Sequence, residues 1–365
     1  MFRTLLTGFL LICCLTAPAQ ALFKPGMAAV TSYAISGDIG MLTDDYVMAV
    51  YDIRHYQAAT QGVNWVAPRL LPPAPVDAQW KRSRMGCVFG LTSDTVGNMY
   101  VTSGMMYGLN DTGTAGPGGI YKVKWDDWTV TDLVTSVNTP TTTSATQLPN
   151  TGYGLGNICY DRWHDLLFVT NFEDGKIYSV TTSGTIVDDY DPFLPDEQST
   201  SAADYTELVF GIDVYGHNNT DVRVYFSRWA FSKTARVPQI WSIALDNNGN
   251  FTGTERLELQ LPFLTNPSYL TSPVADISFA DDGRMLLTER TLVFLNDPSA
   301  HLARTQEYVY DGVAWVLNEY YHVGNYYTLS PTLPRNNACG GGDYGYGFYD
   351  PVADTVGDYD KMVWI

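Results

Sequence analysis

The chain has 365 residues and 21 Lys+Arg against 39 Asp+Glu, a formal charge of −18, which leaves no basic stripe for phosphates and excludes a nucleic-acid partner. The acids divide into 31 Asp and 8 Glu, and because Asp is a turn and cap residue where Glu favours helix interiors, a helical protein is excluded too. With 45% apolar and 16% charged residues the chain can fill a large core, and 32 Gly, 25 Tyr, 15 Phe and 9 Trp point to many short strands joined by tight turns.

At the N-terminus, Met1-Phe2-Arg3, an apolar stretch over residues 5–15 and Ala19-Gln20-Ala21 form the charged start, apolar centre and cleavage site of a secretory signal peptide over residues 1–21. The apolar stretch is short of the roughly 20 residues of a membrane span, and no later segment reaches that length. The sequence therefore predicts a secreted or cell-surface protein whose residues 22–365 form one domain. Beyond the leader stand Cys87, Cys159 and Cys339, too few and too odd for a disulfide framework. They read either as three isolated buried thiols or as one bridge, Cys87 to Cys339, plus a free thiol.

Residues 22–86 hold one strong strand signal, at 45–51. A repeat then begins. Apolar runs at 88–94, 97–103 and 119–123 recur at 156–161, 166–171 and 175–180, again at 210–215, 222–227 and 239–243, and a fourth time at 275–290. Gly90, Asn157, Asp213 and Asp276 occupy matching places, with separations of 67, 56 and 63. Each copy reads as strand, tight turn, strand, loop, strand. One such meander cannot bury both its faces, whereas copies stacked around an axis do, so the expected fold is an all-β β-propeller of about six four-stranded blades. Long loops are expected at 109–118, 138–151, 188–204 and 231–238. A sixth copy, starting near Cys339-Gly340-Gly341-Gly342-Asp343, has room for less than half a blade. Either an N-terminal strand from residues 22–86 closes the last blade, or the chain continues beyond Ile365 and this blade is incomplete.

The pattern of Gly90 and Asp94, Tyr100-Val101-Thr102 and Gly175-Lys176-Ile177-Tyr178-Ser179-Val180 resembles the six-bladed propellers of the NHL, SMP-30 and strictosidine-synthase-like group. Residues 276–290 also look like a blade of quinone-dependent sugar dehydrogenases, but no His stands at a blade head to act as base. The run at 282–290 followed by Gly-Gly-Gly-Asp-Tyr-Gly-Tyr is similar to propeller modules of exported bacterial surface proteins. The SMP-30 resemblance implies Ca²⁺ at the mouth of the central channel, held by oxygens of Asn157, Asp213 and Asp276, with Asn171 and Glu289 as further candidates. Against that stands a purely structural role for the same side chains, tying blades together.

No Gly-x-Ser-x-Gly, Walker, His-Glu-x-x-His or Cys-x-x-Cys motif occurs. His164 falls in an expected solvated hairpin turn, and Asp246-Asn247-Asn248-Gly249-Asn250 reads as a hairpin turn instead of a calcium loop, as do the Asp188-Asp189 and Asp281-Asp282 pairs. Aromatics at 320–321 and 326–327, with Trp125, Trp128, Trp229 and Phe231, are either interblade packing or surfaces for sugars and proteins. The function expected from these residues is an exported, non-enzymatic recognition or scaffold module for an extracellular glycan or protein ligand. A calcium-dependent SMP-30/lactonase-type hydrolase is the alternative, and a sugar oxidoreductase a distant third.

Overall fold

The computed structural model describes residues 26–32, 46–54, 69–104, 111–138, 144–193, 208–216, 221–228, 238–262, 273–294, 297–299, 303–321 and 340–364. It is an all-β propeller. A first sheet orders β1 (Met27–Thr31), β2 (Met48–Asp52) and β3 (Arg69–Leu70), followed by a 3-10 turn at Val76–Trp80 and a short helix α1 (Arg82–Met85). The second holds β4 (Val88–Ser93), β5 (Met99–Ser103), β6 (Ile120–Val123), β7 (Val130–Val137) and, parallel to β7, β8 (Gln147–Pro149). The third is β9 (Leu155–Asp161), β10 (Leu166–Asn171), β11 (Ile177–Thr181) and β12 (Ile186–Tyr190), and the fourth β13 (Val209–Gly216), β14 (Val222–Arg228), β15 (Gln239–Leu245) and β16 (Phe251–Gln260).

In the fifth sheet β17 (Val274–Phe279) and β18 (Met285–Glu289) are separated in sequence by the small hairpin β19 (Thr291–Phe294) and β20 (Asp297–Ser299) from β21 (Thr305–Tyr310) and β22 (Trp315–Tyr321). Near the C-terminus β23 (Asp343–Gly345) pairs with β26 (Met362–Trp364), and β24 (Phe348–Asp350) with β25 (Thr355–Gly357). The strands β1, β4, β9, β13 and β17 are innermost and neighbour one another in turn.

Packing follows from the two-residue period of a strand. Along β5, Met99 and Val101 enter a core shared with Met48 and Val50 of the first sheet and Trp80 of the 3-10 turn, while Tyr100 enters one shared with Ile158, Leu167 and Val169 of the third. Along β14, Val224 and Phe226 face Phe168 and Ile177, and Tyr225 faces Ile277 and Met285. The second, third and fourth blades thus each contribute to two cores, so none of them can bury its apolar surface alone.

The Asp excess is spent largely on turns. Asp94 Oδ1 accepts from the backbone N–H groups of Val96, Gly97 and Asn98, with Gly97 at φ +99°, and Asp246 Oδ1 accepts from Asn248 and Asn250 N–H. The 246–250 segment is a hairpin turn as the sequence indicated.

Four expectations change. The described residues form five blades, not about six, because the segment from Gly340 onward makes only two two-stranded sheets. Among the described residues no N-terminal strand joins those sheets; they abut the first blade through Tyr346 and Trp364 against Ile53, Ala28 and Tyr51. Asp188 and Asp189 lie in β12 and not in a turn, since pairing with β11 and the Lys176–Asp189 ion pair of 2.7 Å outweigh the poor strand propensity of Asp. The His164 side chain is only 7% exposed, its Nδ1 2.5 Å from Asp161 Oδ2 and its ring against the Gly249 turn of the next blade. Cys87 and Cys159 are buried free thiols; Cys339 lies outside the described residues. No helix among the described residues is long and apolar enough to cross a membrane.

Candidate functional site at the propeller axis

In each of four blades one hydroxyl from the second strand fills a bulge in the innermost strand. Gly90 N–H donates to Thr102 Oγ1 at 2.9 Å, and that hydroxyl donates onward to Gly156 O of the third blade at 2.8 Å. Asn157 N–H likewise donates to Thr170 Oγ1, which donates to Phe210 O of the fourth blade at 2.9 Å. Gly211 N–H donates to Ser227 Oγ, which donates to Val274 O of the fifth at 2.7 Å. In the fifth blade Thr288 takes the same place, opposite Asp276 and against Gly342. These latches define the register of the axial column: Gly90, Asn157, Gly211 and Asp276, with Asp343 following Gly342 as Asn157 follows Gly156.

The structure therefore brings Asn157 and Asp276 together but puts Asp213 two residues further along its strand. Gly211 holds the column position in the fourth blade, and the absence of a side chain there matters. A Cβ on Gly211 would lie 3.0 Å from the Asp276 nitrogen and 3.1 Å from the Ala275 carbonyl carbon. Through this gap Asn157 Nδ2 reaches past the fourth blade to donate to Asp276 Oδ1 at 2.6 Å and Ala275 O at 3.2 Å. Asn157 Oδ1 accepts from Ile158 N–H, so the amide turns its nitrogen to the centre.

Asp276 Oδ2 accepts from Gly342 N–H at 2.9 Å, Asp213 accepts from the N–H groups of Val214 and Phe279, and Asp343 Oδ1 accepts from Ser278 Oγ and Tyr344 N–H. Asp343 was missed from sequence, although it stands 67 residues after Asp276, the same step as from Gly90 to Asn157.

Water reaches these carboxylates, Asp343 most, yet neighbouring inner strands crowd them, and no ion pair to any of the three occurs among the described residues. Burial pushes the Asp276 carboxyl up to about 7, with Asp343 adding to the rise. Burial raises Asp213 well above the usual carboxylate range, with Asp276 and Asp343 contributing, and raises Asp343 with help from Asp360. Burial and the neighbouring like charges both disfavour the ionised forms, so this cluster holds its protons to higher pH than free carboxyls do.

The folded state then binds protons that the unfolded chain releases near about pH 4. Where the native state binds more protons, stability falls as pH rises, here between about 4 and 7. Asp276→Asn is expected to flatten that fall, as read from urea midpoints at pH 5 and 7.5; a slope equal to the parent's would refute the assignment.

Asn171 and Glu289 do not join the axial group. Asn171 is bound to Asn150, Pro149 O and Glu173 N–H, and Glu289 to the Arg304 guanidinium. Carboxylate oxygens suit a hard cation such as Ca²⁺, and Asp213, Asp276 and Asp343 supply that donor type. Among the described residues, however, no three His, Cys, Asp or Glu side chains are set to hold a metal ion, and the Asn157 oxygen points away from the centre. Of the surface aromatics, Trp125 is exposed, while Trp128, partly buried, packs on the core between the first two blades. Trp229, Phe231, His322, Tyr326 and Tyr327 lie outside the described residues.

No family model and no curated protein sequence matches the chain. Among solved structures it is similar to a protein from Lactobacillus plantarum, with 12% identity, 93% of this chain and 98% of that one covered and a TM-score of 0.43. It is also similar to an auxiliary nutrient binding protein from Bacteroides thetaiotaomicron, with 12% identity, 76% and 52% covered and a TM-score of 0.41. A gluconolactonase from Xanthomonas campestris matches at 9% identity, with 73% and 72% covered and a TM-score of 0.38. The propeller assignment itself rests on the strand order and register of this chain.

Proposed function

We propose that the protein is an exported, non-enzymatic propeller that recognises an extracellular glycan or protein ligand through its blade loops. The observation that carries this reading is the commitment of the axial polar groups. Asp213 and Asp276 are each held by two hydrogen-bond donors, Asp343 Oδ1 accepts from two, and the Asn157 amide spans from the third blade to the fifth. Groups engaged in this way tie blades together; a general base or an open metal site needs a free lone pair aimed at substrate. The leader at residues 1–21 supports export to the outside or the cell surface.

A calcium-dependent lactonase-type hydrolase is the competing reading, favoured by the closeness of three carboxylates that lack ion-pair partners among the described residues. One experiment separates the two. The mature chain is dialysed against EDTA, its calcium content and melting temperature are measured, and turnover of a lactone panel is assayed with and without added Ca²⁺. The recognition reading expects no stoichiometric calcium, a melting temperature shifted by less than about 2 °C and no turnover. Calcium-dependent lactone hydrolysis lost in Asp213→Ala would overturn it.

A further inference from the structure

The hairpin loop between β6 and β7 is built differently from the Asp-led turns at 94–98 and 246–250. Lys124-Trp125-Asp126-Asp127-Trp128 is closed by two backbone bonds, Trp128 N–H to Lys124 O at 3.1 Å and Lys124 N–H to Thr129 O at 3.0 Å. Trp128 stands at φ +65°, the left-handed conformation that glycine usually supplies in such loops. The surrounding protein holds it there: its side chain packs on the core between the first two blades, and its carbonyl accepts from Trp80 Nε1 at 3.0 Å. A backbone kept against its own preference by packing is rigid, and such positions gather where ligands are clamped.

The same loop presents its other tryptophan to solvent. Trp125 is 40% exposed and is the one exposed tryptophan among the described residues. Its N–H donates at 3.3 Å to Asn98 Oδ1 of the 94–98 turn, and Asn98 Nδ2 is tied in turn to Asp94 Oδ2 at 2.7 Å. That turn brings the bare backbone of Gly97 beside Trp125, a Cβ there falling 3.6 Å from Trp125 Cβ, and its Val96 is exposed. Lys124, Asp126 and Asp127 form the rim, each about half exposed. Thr129 N–H and Oγ1 hold Asp127 Oδ1, which leaves Oδ2, 3.6 Å from Lys124 Nζ, to accept from a hydroxyl.

We propose that this loop binds a neutral β-1,4-linked pyranose chain, the Trp125 indole receiving the C–H face of one sugar ring while Asp126 and Asp127 accept from its hydroxyls. A β-1,4 chain is an extended ribbon whose rings offer such faces, which suits an exposed platform. One Lys against two Asp leaves the loop negative and disfavours uronic acids. The inference rests on the recognition reading, to which it adds a ligand class and a place; the calcium and lactone assay tests that reading separately.

The test is calorimetric titration of the mature chain at low salt with cellohexaose, mannohexaose and the β-1,4-linked hexamer of mannuronic acid. Both neutral chains are expected to bind at millimolar concentration. The mannuronate hexamer, which differs from mannohexaose by a carboxylate on each ring, is expected to bind at least about ten-fold more weakly. Trp125→Ala is expected to weaken the neutral chains at least about ten-fold. Its melting temperature should stay within about 1 °C of the parent's, because the indole is exposed. Trp125→Phe, which keeps an aromatic face, is expected to recover part of the lost binding. Undiminished binding in Trp125→Ala would put the sugar elsewhere on the protein and overturn the inference while leaving the recognition reading standing. Failure of both neutral chains to bind, or mannuronate binding as tight as that of mannohexaose, would overturn it equally.

Discussion

Thr170→Val is expected to destabilise the propeller by about 2–4 kcal/mol, although the two side chains have nearly the same shape. Thr170 is fully buried, and its hydroxyl is the partner of Asn157 N–H and of Phe210 O. Valine keeps the β-branch and the packing but strands one backbone donor in the third blade and one acceptor in the fourth, each costing about 1–3 kcal/mol when buried without a partner. Thr170→Ser, which retains the hydroxyl, is expected to recover most of the loss. Urea unfolding of the three proteins decides the matter: a valine variant within about 0.5 kcal/mol of the parent, half of the smallest single-group cost, would show that the latch contributes nothing.

A larger loss is expected from Arg304→Met. The guanidinium donates to both oxygens of Glu289 and to Pro262 O, with Glu289 1% exposed and Arg304 10%. Removing the cation leaves a buried carboxylate without its countercharge, which costs about 3–5 kcal/mol. The double variant Glu289→Gln, Arg304→Met is expected to be more stable than Arg304→Met alone, because it takes away the stranded charge as well. Equal stability of the single and double variants would mean that Glu289 is already neutral in the fold. The same pair bears on the axial site, since Glu289 so engaged is unavailable to a metal there.

The strands were legible because they depend on neighbours in sequence. The runs 99–103, 166–171 and 222–227 alternate side chains between two apolar cores, and the Asp-led turns at 94–98 and 246–250 satisfy their own backbone within four residues. The latching hydroxyls also stand at one place in the repeat, Thr102, Thr170, Ser227 and Thr288, yet their role was invisible. Thr102, Thr170 and Ser227 each act on a carbonyl of another blade, 40 to 54 residues away. The axial column shows the opposite error. Asp213 was aligned with Asn157 because it is polar, but the bulge at 209–212 puts Gly211 opposite Ser227 and carries Asp213 two residues on.

What the sequence determined alone is the all-β character, the meander of each repeat and the use of Asp at turns, all consequences of side-chain alternation and local hydrogen bonding. What only the tertiary structure decided is the number of blades, the burial of His164 and the identity of the residues that meet at the axis. The bond from Asn157 to Asp276 joins positions 119 apart. It exists because the third and fifth blades approach across a glycine, and that approach is set by ring closure and packing between sheets, for which no local pattern codes.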